Sequence, residues 1–145
     1  MKYYIDQSGK IENTKNLTVV AYAGSEIKSL KISAVEKRKL LKVLRITTER
    51  KKLITYELFA TLVFILIKDE KMNEVIIDIE YKGHEGSVKN FIKNYYAKLN
   101  KKMPEVSFEL ITKKSPAHMV AIDTFRGTRK ADITINAREV LEYLF

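Results

Sequence analysis

The sequence contains no cysteine, and this absence excludes two kinds of structure. Neither a disulfide framework nor a metal site built from thiolates can form. Long apolar runs are also missing. The longest, at residues 58–67, has about half of the length that a membrane span needs, so it predicts a buried core helix. The first residues, "MKYYIDQSGK", lack the apolar stretch of a signal peptide, and we therefore expect a soluble, cytoplasmic protein with no membrane partner.

The signatures of several common enzyme classes are absent as well. The chain has no G-x-S-x-G motif, no P-loop and no G-x-G-x-x-G motif. It also shows no internal repeat, low-complexity tract or interdomain linker. With 145 residues, 46% of them hydrophobic and 31% charged, the composition is that of an ordinary globular protein. The simplest prediction is a single domain over residues 1–145.

What the chain does have is positive charge. The formal net charge is +9, and basic runs such as "EKRK", "ERKK" and "TRK" are scattered along its length. A charge of this sign and size favours an anionic partner, and nucleic acid is the commonest one. The alternative is that the lysines serve solubility alone. DNA and RNA are not distinguished by these patterns, and self-association is left open.

The apolar patterns predict an α/β fold. Three short strands joined by turn-like segments come first, followed by a helical section, a strand, a helix, a strand and another helix. "KADITIN" and "AREVLEYLF" would add a small strand and a terminal helix. This order favours a mixed sheet, with a three-strand antiparallel meander plus two parallel strands, flanked by helices.

Two helices carry specific signals. Ser33 and Glu36 have capping-box spacing at the start of the first helix. Its apolar stripe is predicted at Val35, Leu40, Val43 and Leu44. A later helix is predicted to begin after Ser115, with a proline at its first position, and to end at Gly127.

Two acids follow predicted strands. Asp6 ends the first strand and Asp78 the fourth, and if these strands are parallel neighbours their carboxylates meet at one edge of the sheet. Strand alternation would place Glu80 on the same face as Asp78. Grouped carboxylates bind hard cations such as Mg²⁺ or Mn²⁺, so Asp6, Asp78 and Glu80 are candidate metal ligands. The alternatives are a simple turn at Asp6 and neutralisation of Glu80 by Lys82.

A second group of candidates lies on the stretch "SPAHMVAIDTFRGTRKAD". His118 and Asp123 could reach a site from the helix start or flank, although they lie about 140° apart around the helix. Both are candidate functional residues, His118 as a proton-transfer or product-release group. The basic residues proposed to contact phosphate are Lys82, Arg126, Arg129 and Lys130; the alternative for the last three is a solvated surface cluster.

Two motifs resemble a known superfamily. "YYIDQSG" followed by a β-meander resembles the "IDESG" opening of an uncharacterised branch of the ribonuclease H-like superfamily, and "VIIDIEYKG" resembles its acid-bearing fourth strand. The resemblance implies a nuclease dependent on Mg²⁺ or Mn²⁺, or a related phosphotransferase that processes phosphodiesters. It also implies that Asp6 and Asp78 are joined by an acid from the helix after strand three, Glu57 or else Glu36, and by Asp123. The chain departs from the pattern at Gln7, where the branch has glutamate.

Two other functions compete with this one. One is a non-catalytic basic domain that keeps the fold and binds nucleic acid or a protein partner. The other is a restriction-endonuclease-like enzyme, because Glu80, Tyr81 and Lys82 fit its E-x-K half-motif. That second fold needs an acid on a preceding hairpin strand, whereas a long apolar helix precedes this strand.

Overall fold

A computed structural model describes residues 2–47 and 51–144 of the chain. The strands are β1 (Lys2–Ser8), β2 (Thr18–Ala23), β3 (Ile27–Ile32), β4 (Glu74–Asp78), β5 (Glu105–Glu109) and β6 (Ile133–Ile135). The α-helices are α1 (Ala34–Thr47), α2 (Ile54–Ile67), α3 (Glu85–Lys98), α4 (Pro116–Arg126) and α5 (Ala137–Leu144).

All six strands join one mixed sheet in the order β5-β4-β1-β2-β3-β6. β1, β2 and β3 form the antiparallel meander, while β4 pairs parallel to β1 and β5 pairs parallel to β4. The short β6 adds a further parallel strand beside β3. The predicted fold class is therefore confirmed, and the arrangement is consistent with a ribonuclease H-like one.

One face of the sheet, called here the four-helix face, packs against α1, α2, α3 and α5. Alternate strand residues such as Ile5, Tyr22 and Ile77 point into this layer. Helix α2 is apolar around almost its whole circumference, and its residues from Leu58 to Ile67 are all buried. Burial on every side is what the longest apolar run of the sequence predicted.

The opposite face, called here the α4 face, is more sparsely covered. Of the helices in the described ranges, α4 packs on it, over β1, β2 and β3. Its small residues Ala117 and Ala121 are fully buried, and Ala121 meets Val19 and Ala21 of β2. Small side chains let the helix lie close to the sheet. Gly127 ends α4 in the left-handed conformation with φ of 82°, as the sequence predicted.

The stripe predicted for α1 is partly wrong. Val35 is 52% exposed, whereas Lys37 is fully buried. The Lys37 ammonium donates hydrogen bonds to the carbonyl oxygens of Lys10 and Asn13, at 3.1 and 2.7 Å, and to Thr18 Oγ1 at 3.0 Å. Burial lowers the pKa of Lys37 to about 8. This lysine holds the β1–β2 connection against the start of α1.

The capping box at the start of α1 is formed in one direction. The Glu36 N–H donates to Ser33 Oγ at 3.2 Å. The Glu36 carboxylate accepts instead from the Ala137 N–H, 3.1 Å away at the start of α5, and from Lys39. Glu36 therefore joins two helices of the four-helix face. No helix in the described ranges combines the length and the apolar character needed to cross a lipid bilayer.

Candidate metal centre

Two neighbouring strands bring Asp6 and Asp78 together. Asp78 ends β4 as predicted, but Asp6 lies within β1, which continues to Ser8, so the predicted strand end and the alternative of a simple turn at Asp6 are both wrong. β1 and β4 run parallel, and Ile5 pairs with Ile77, so the two aspartates follow at the same level on adjacent strands. Since Ile5 and Ile77 point into the four-helix core, strand alternation turns both aspartates to the α4 face. One carboxylate oxygen each of Asp6, Asp78 and Glu80 lie within 4.8 Å of one another. We call these three residues the acid cluster.

Glu80 enters the acid cluster by a route different from the predicted one. β4 ends at Asp78 rather than continuing, and the Glu80 N–H donates to the Asp78 carbonyl oxygen at 2.9 Å. This bend, not strand alternation, returns the Glu80 side chain to Asp78. The E-x-K half-motif at residues 80–82 consequently lies in a bend and turn, which does not match the strand that a restriction-endonuclease-like site requires.

Burial and mutual repulsion govern the charges of the acid cluster. Asp6 is only 3% exposed, and this burial raises its pKa, opposed by hydrogen bonds from the Gln7 N–H and His118. Burial together with the nearby Asp78 and Asp6 carboxylates raises the pKa of Glu80 to about 8. Three charged carboxylates this close repel one another. Either a bound cation compensates their charge, or one of them takes up a proton and becomes neutral.

Two backbone N–H groups and one histidine hold the aspartates in place. The Gln7 N–H donates to Asp6 Oδ1 at 2.8 Å, and the Ile111 N–H donates to Asp78 Oδ1 at 2.6 Å. His118, in the first turn of α4, places Nδ1 2.9 Å from Asp6 Oδ2. The His118 side chain is 26% exposed, so it connects a buried carboxylate with solvent.

Gln7, where the resemblance leads one to expect glutamate, does not face the acid cluster. Its side chain follows the alternation of Tyr3 and Ile5 toward the four-helix face, and its Nε2 lies 3.3 Å from the Tyr81 hydroxyl. The Tyr81 ring packs in turn against Phe59 of α2. A glutamate at position 7 would therefore not face the acid cluster, and having glutamine there does not reduce the number of carboxylates in the cluster.

Two of the predicted acids lie outside this group. Glu57 is on α2, on the four-helix side of the sheet, and borders a groove with Tyr95 and Lys98 of α3. Asp123 is on α4, five residues beyond His118, and its carbonyl accepts the Thr128 and Arg129 N–H groups at the helix end. Within the described part of the chain, neither belongs to the group of acids close enough to share an ion.

The predicted phosphate contacts are divided between two places. Lys82 is exposed in the turn that follows Glu80. Arg126 and Lys130 are exposed beyond the far end of α4, and Arg129 lies 3.7 Å from Asp132. Arg126 follows His118 by eight residues, or roughly 12 Å of helix. The basic residues at the far end of α4 therefore do not adjoin the acid cluster.

Two further residues lie beside the acids, and sequence reasoning missed one of them, Glu109. Glu109 of β5 pairs with Asp78, and it faces the α4 side because its neighbours Val106 and Phe108 pack in the four-helix core. Tyr4 precedes Asp6 by two residues on the same face of β1 and is 37% exposed. The signal was the alternation in "EVSFE" and "KYYID", but using it requires the register between β4 and β5.

Comparison with protein-family models and with curated proteins finds no match for this chain. The chemistry of the site therefore has to be argued from its own donors. These donors are three carboxylates, which are the hard oxygen ligands that Mg²⁺ and Mn²⁺ prefer. Ligands of an octahedral Mg²⁺ are about 3.0 Å apart when adjacent and about 4.2 Å apart when opposite, so modest side-chain movements from separations of up to 4.8 Å would bring all three oxygens onto one ion. The residues fit a divalent cation.

Proposed function

We propose that this protein is a divalent-metal-dependent nuclease of the ribonuclease H-like type. The observation that carries the proposal is the convergence of Asp6, Asp78 and Glu80 within 4.8 Å at the carboxyl ends of adjacent parallel strands. This is the edge where sites form in wound sheets. The net charge of +9 supports a polyanionic substrate, DNA or RNA.

The three acids would hold Mg²⁺ or Mn²⁺, with Asp6 and Asp78 fixed by the backbone N–H groups of Gln7 and Ile111. When bound, such an ion supplies an activated water and stabilises the charge on phosphoryl oxygens. The His118 Nδ1–H can donate to the charged Asp6 carboxylate, which leaves Nε2 as the ring nitrogen that takes up or returns a proton. Glu57 and Asp123, which the resemblance implied as further ligands, have no part in this proposal.

A second candidate is the non-catalytic domain, and one observation favours it. The raised pKa of Glu80, about 8, means that a proton shared with Asp78 and Asp6 can relieve the repulsion without any metal. In that case the acid cluster would be a proton-bridged structural element. The protein would then bind nucleic acid through its basic surface alone.

Calorimetric titration with Mn²⁺ separates the two candidates. The nuclease predicts saturable binding to the wild type and at least a tenfold weaker affinity for Asp78→Asn. Asp123→Asn is the matched control: it removes the same charge by the same chemical change outside the acid cluster, and it should bind as the wild type does. Absence of Mn²⁺ binding in the wild type would contradict the nuclease.

Cleavage assays then define the substrate. DNA, RNA and hybrid substrates are incubated with Mg²⁺ or Mn²⁺, and Asp78→Asn provides the blank for contaminating nucleases. Activity that survives in Asp78→Asn would not belong to this site.

A further inference from the structure

A cleft opens on the α4 face beside the acid cluster. It lies between the start of α4, Tyr4 of β1 and the end of β5, and its volume is about 330 Å³. The residues that line it include Tyr4, Glu109, Leu110, Ile111, Thr112 and Pro116. None of the sequence motifs pointed to this cleft.

The cleft and the acid cluster are built from the same backbone. Tyr4 precedes Asp6 by two residues on the same face of β1, which places their Cα atoms about 6–7 Å apart. Ile111 lines the cleft while its N–H donates to Asp78 at 2.6 Å. Glu109, another lining residue, pairs with Asp78 across β4 and β5. A group in the cleft is therefore about one nucleotide away from a phosphate at the acid cluster.

The cleft wall has apolar, exposed surface where solvent would ordinarily favour polar groups. Leu110 is 79% exposed and Tyr4 is 37% exposed, and Pro116 adds a further exposed apolar ring. An aromatic ring beside aliphatic side chains makes a platform on which a planar base can stack. Such stacking tolerates any base, because each one has a π-face.

The charges around the cleft indicate which part of a nucleotide it receives. The Glu109 carboxylate lies on the wall, and it repels a phosphate but can accept a hydrogen bond from a base N–H. Lys113 and Lys114 lie in sequence between the lining residues Thr112 and Ser115 and are exposed, so they are available to the neighbouring phosphates. This distribution of charge suits a nucleic-acid base inside the cleft and the sugar-phosphate backbone outside it.

We propose that this cleft holds an unpaired base of single-stranded nucleic acid, next to the phosphate at the acid cluster. This inference rests on the proposed function for its substrate. It narrows that substrate to a single strand or a frayed strand end, because a base paired and stacked in a duplex cannot enter the cleft.

The test measures binding rather than cleavage. Fluorescence anisotropy follows a labelled single-stranded oligonucleotide and a blunt duplex of the same sequence, both in EDTA so that nothing is cut. The wild type should bind the single strand more tightly than the duplex. Tyr4→Ala should weaken single-strand binding roughly tenfold, and Tyr4→Phe, which keeps the ring, should leave it unchanged.

A second pair of variants controls for folding and for apolar surface in general. Leu110→Ser removes a side chain that is 79% exposed in the cleft, and Ile46→Ser removes one that is 76% exposed on α1. Both should keep the wild-type melting temperature. Only Leu110→Ser should weaken binding of the single strand, and neither should change binding of the duplex.

Several outcomes would overturn the proposal. These are equal losses for Leu110→Ser and Ile46→Ser, unchanged binding in Tyr4→Ala, or tighter binding of the duplex than of the single strand. Another is a change of oligomeric state in Leu110→Ser without any change in oligonucleotide binding, which would make the cleft a contact between two copies of the chain.

Failure of the cleft and failure of the nuclease remain distinguishable. Binding that depends on Tyr4, without Mn²⁺ binding, would support the cleft and contradict the nuclease. Cleavage that depends on Asp78, with binding indifferent to Tyr4 and Leu110, would support the nuclease and contradict the cleft.

Discussion

The two faces of the sheet differ in how much of their surface is used for packing. The four-helix face is covered by one continuous apolar core that includes the whole buried length of α2. The α4 face has a small apolar cluster around Ala121 and Val19, and beyond it lie the acid cluster and the cleft. The candidate site therefore lies on the face of the sheet that the larger apolar core leaves uncovered. Substitutions on the first face should therefore change stability, and those on the second face should change binding.

The largest effect is expected in the four-helix core. Leu62 is fully buried on α2, and Leu62→Ala should lower the free energy of unfolding by about 2–5 kcal/mol, because it removes buried methyl groups and leaves a cavity. Urea denaturation measures this. Affinity for Mn²⁺ should stay unchanged in the folded fraction. A cost below about 1 kcal/mol would mean that the core tolerates cavities there.

The next effect concerns Glu80 and pH. The folded protein retains the Glu80 proton up to a pKa of about 8, whereas the unfolded chain releases it near the ordinary glutamate pKa of 4.5. The unfolded state binds fewer protons in this window, so the stability of the metal-free protein should fall as pH rises from 4.5 to about 8. We expect a fall of roughly 2 kcal/mol after allowance for solvent screening.

Glu80→Gln provides the control for that prediction. It should flatten the pH dependence of stability, measured by urea denaturation in EDTA. Saturating Mn²⁺ should stabilise the wild type most at the alkaline end of the window, because the ion competes with the proton on Glu80. A stability of the metal-free wild type that rises with pH would contradict the assignment of the proton.

A smaller effect tests which face position 7 belongs to. Gln7→Glu restores the glutamate of the resembling branch, but the side chain lies 6% exposed beside Tyr81 on the four-helix side. The added charge should cost about 1–2 kcal/mol of stability and should not increase affinity for Mn²⁺. A gain in metal affinity would place Gln7 at the acid cluster instead.

The smallest effect is expected at Asp123. Asp123→Asn should change stability by less than about 0.5 kcal/mol and should leave nucleic-acid cleavage at the wild-type rate. The Asp78→Asn substitution, measured in the same way, should abolish cleavage. If Asp123→Asn loses activity, Asp123 is again a candidate metal ligand.

The features that sequence predicted well depend on local signals. The ends of α4 are fixed by the backbone preferences of Ser115, Pro116 and Gly127. These preferences are local and do not depend on which residues pack nearby. The meeting of Asp6 and Asp78 required only the order of the strands and their direction.

The rest depended on rotation, register and distant partners. Helix α2 is apolar on nearly every side, so the sequence could not indicate which way Glu57 points. The register between β4 and β5 decides that Glu109 lies beside Asp78. The burial of Lys37 follows from the three acceptors that a distant turn and β2 supply.

Lys37 offers an internal reporter for chemical labelling. Of the lysines in the described ranges, it is the one that is buried, with its ammonium held by the carbonyl oxygens of Lys10 and Asn13. An amine-directed reagent that modifies the exposed lysines within seconds would reach Lys37 only when the β1–β2 connection detaches from α1. The rate of its modification, followed by mass spectrometry, would then time the opening of the strand connection that follows β1, the strand that carries Asp6.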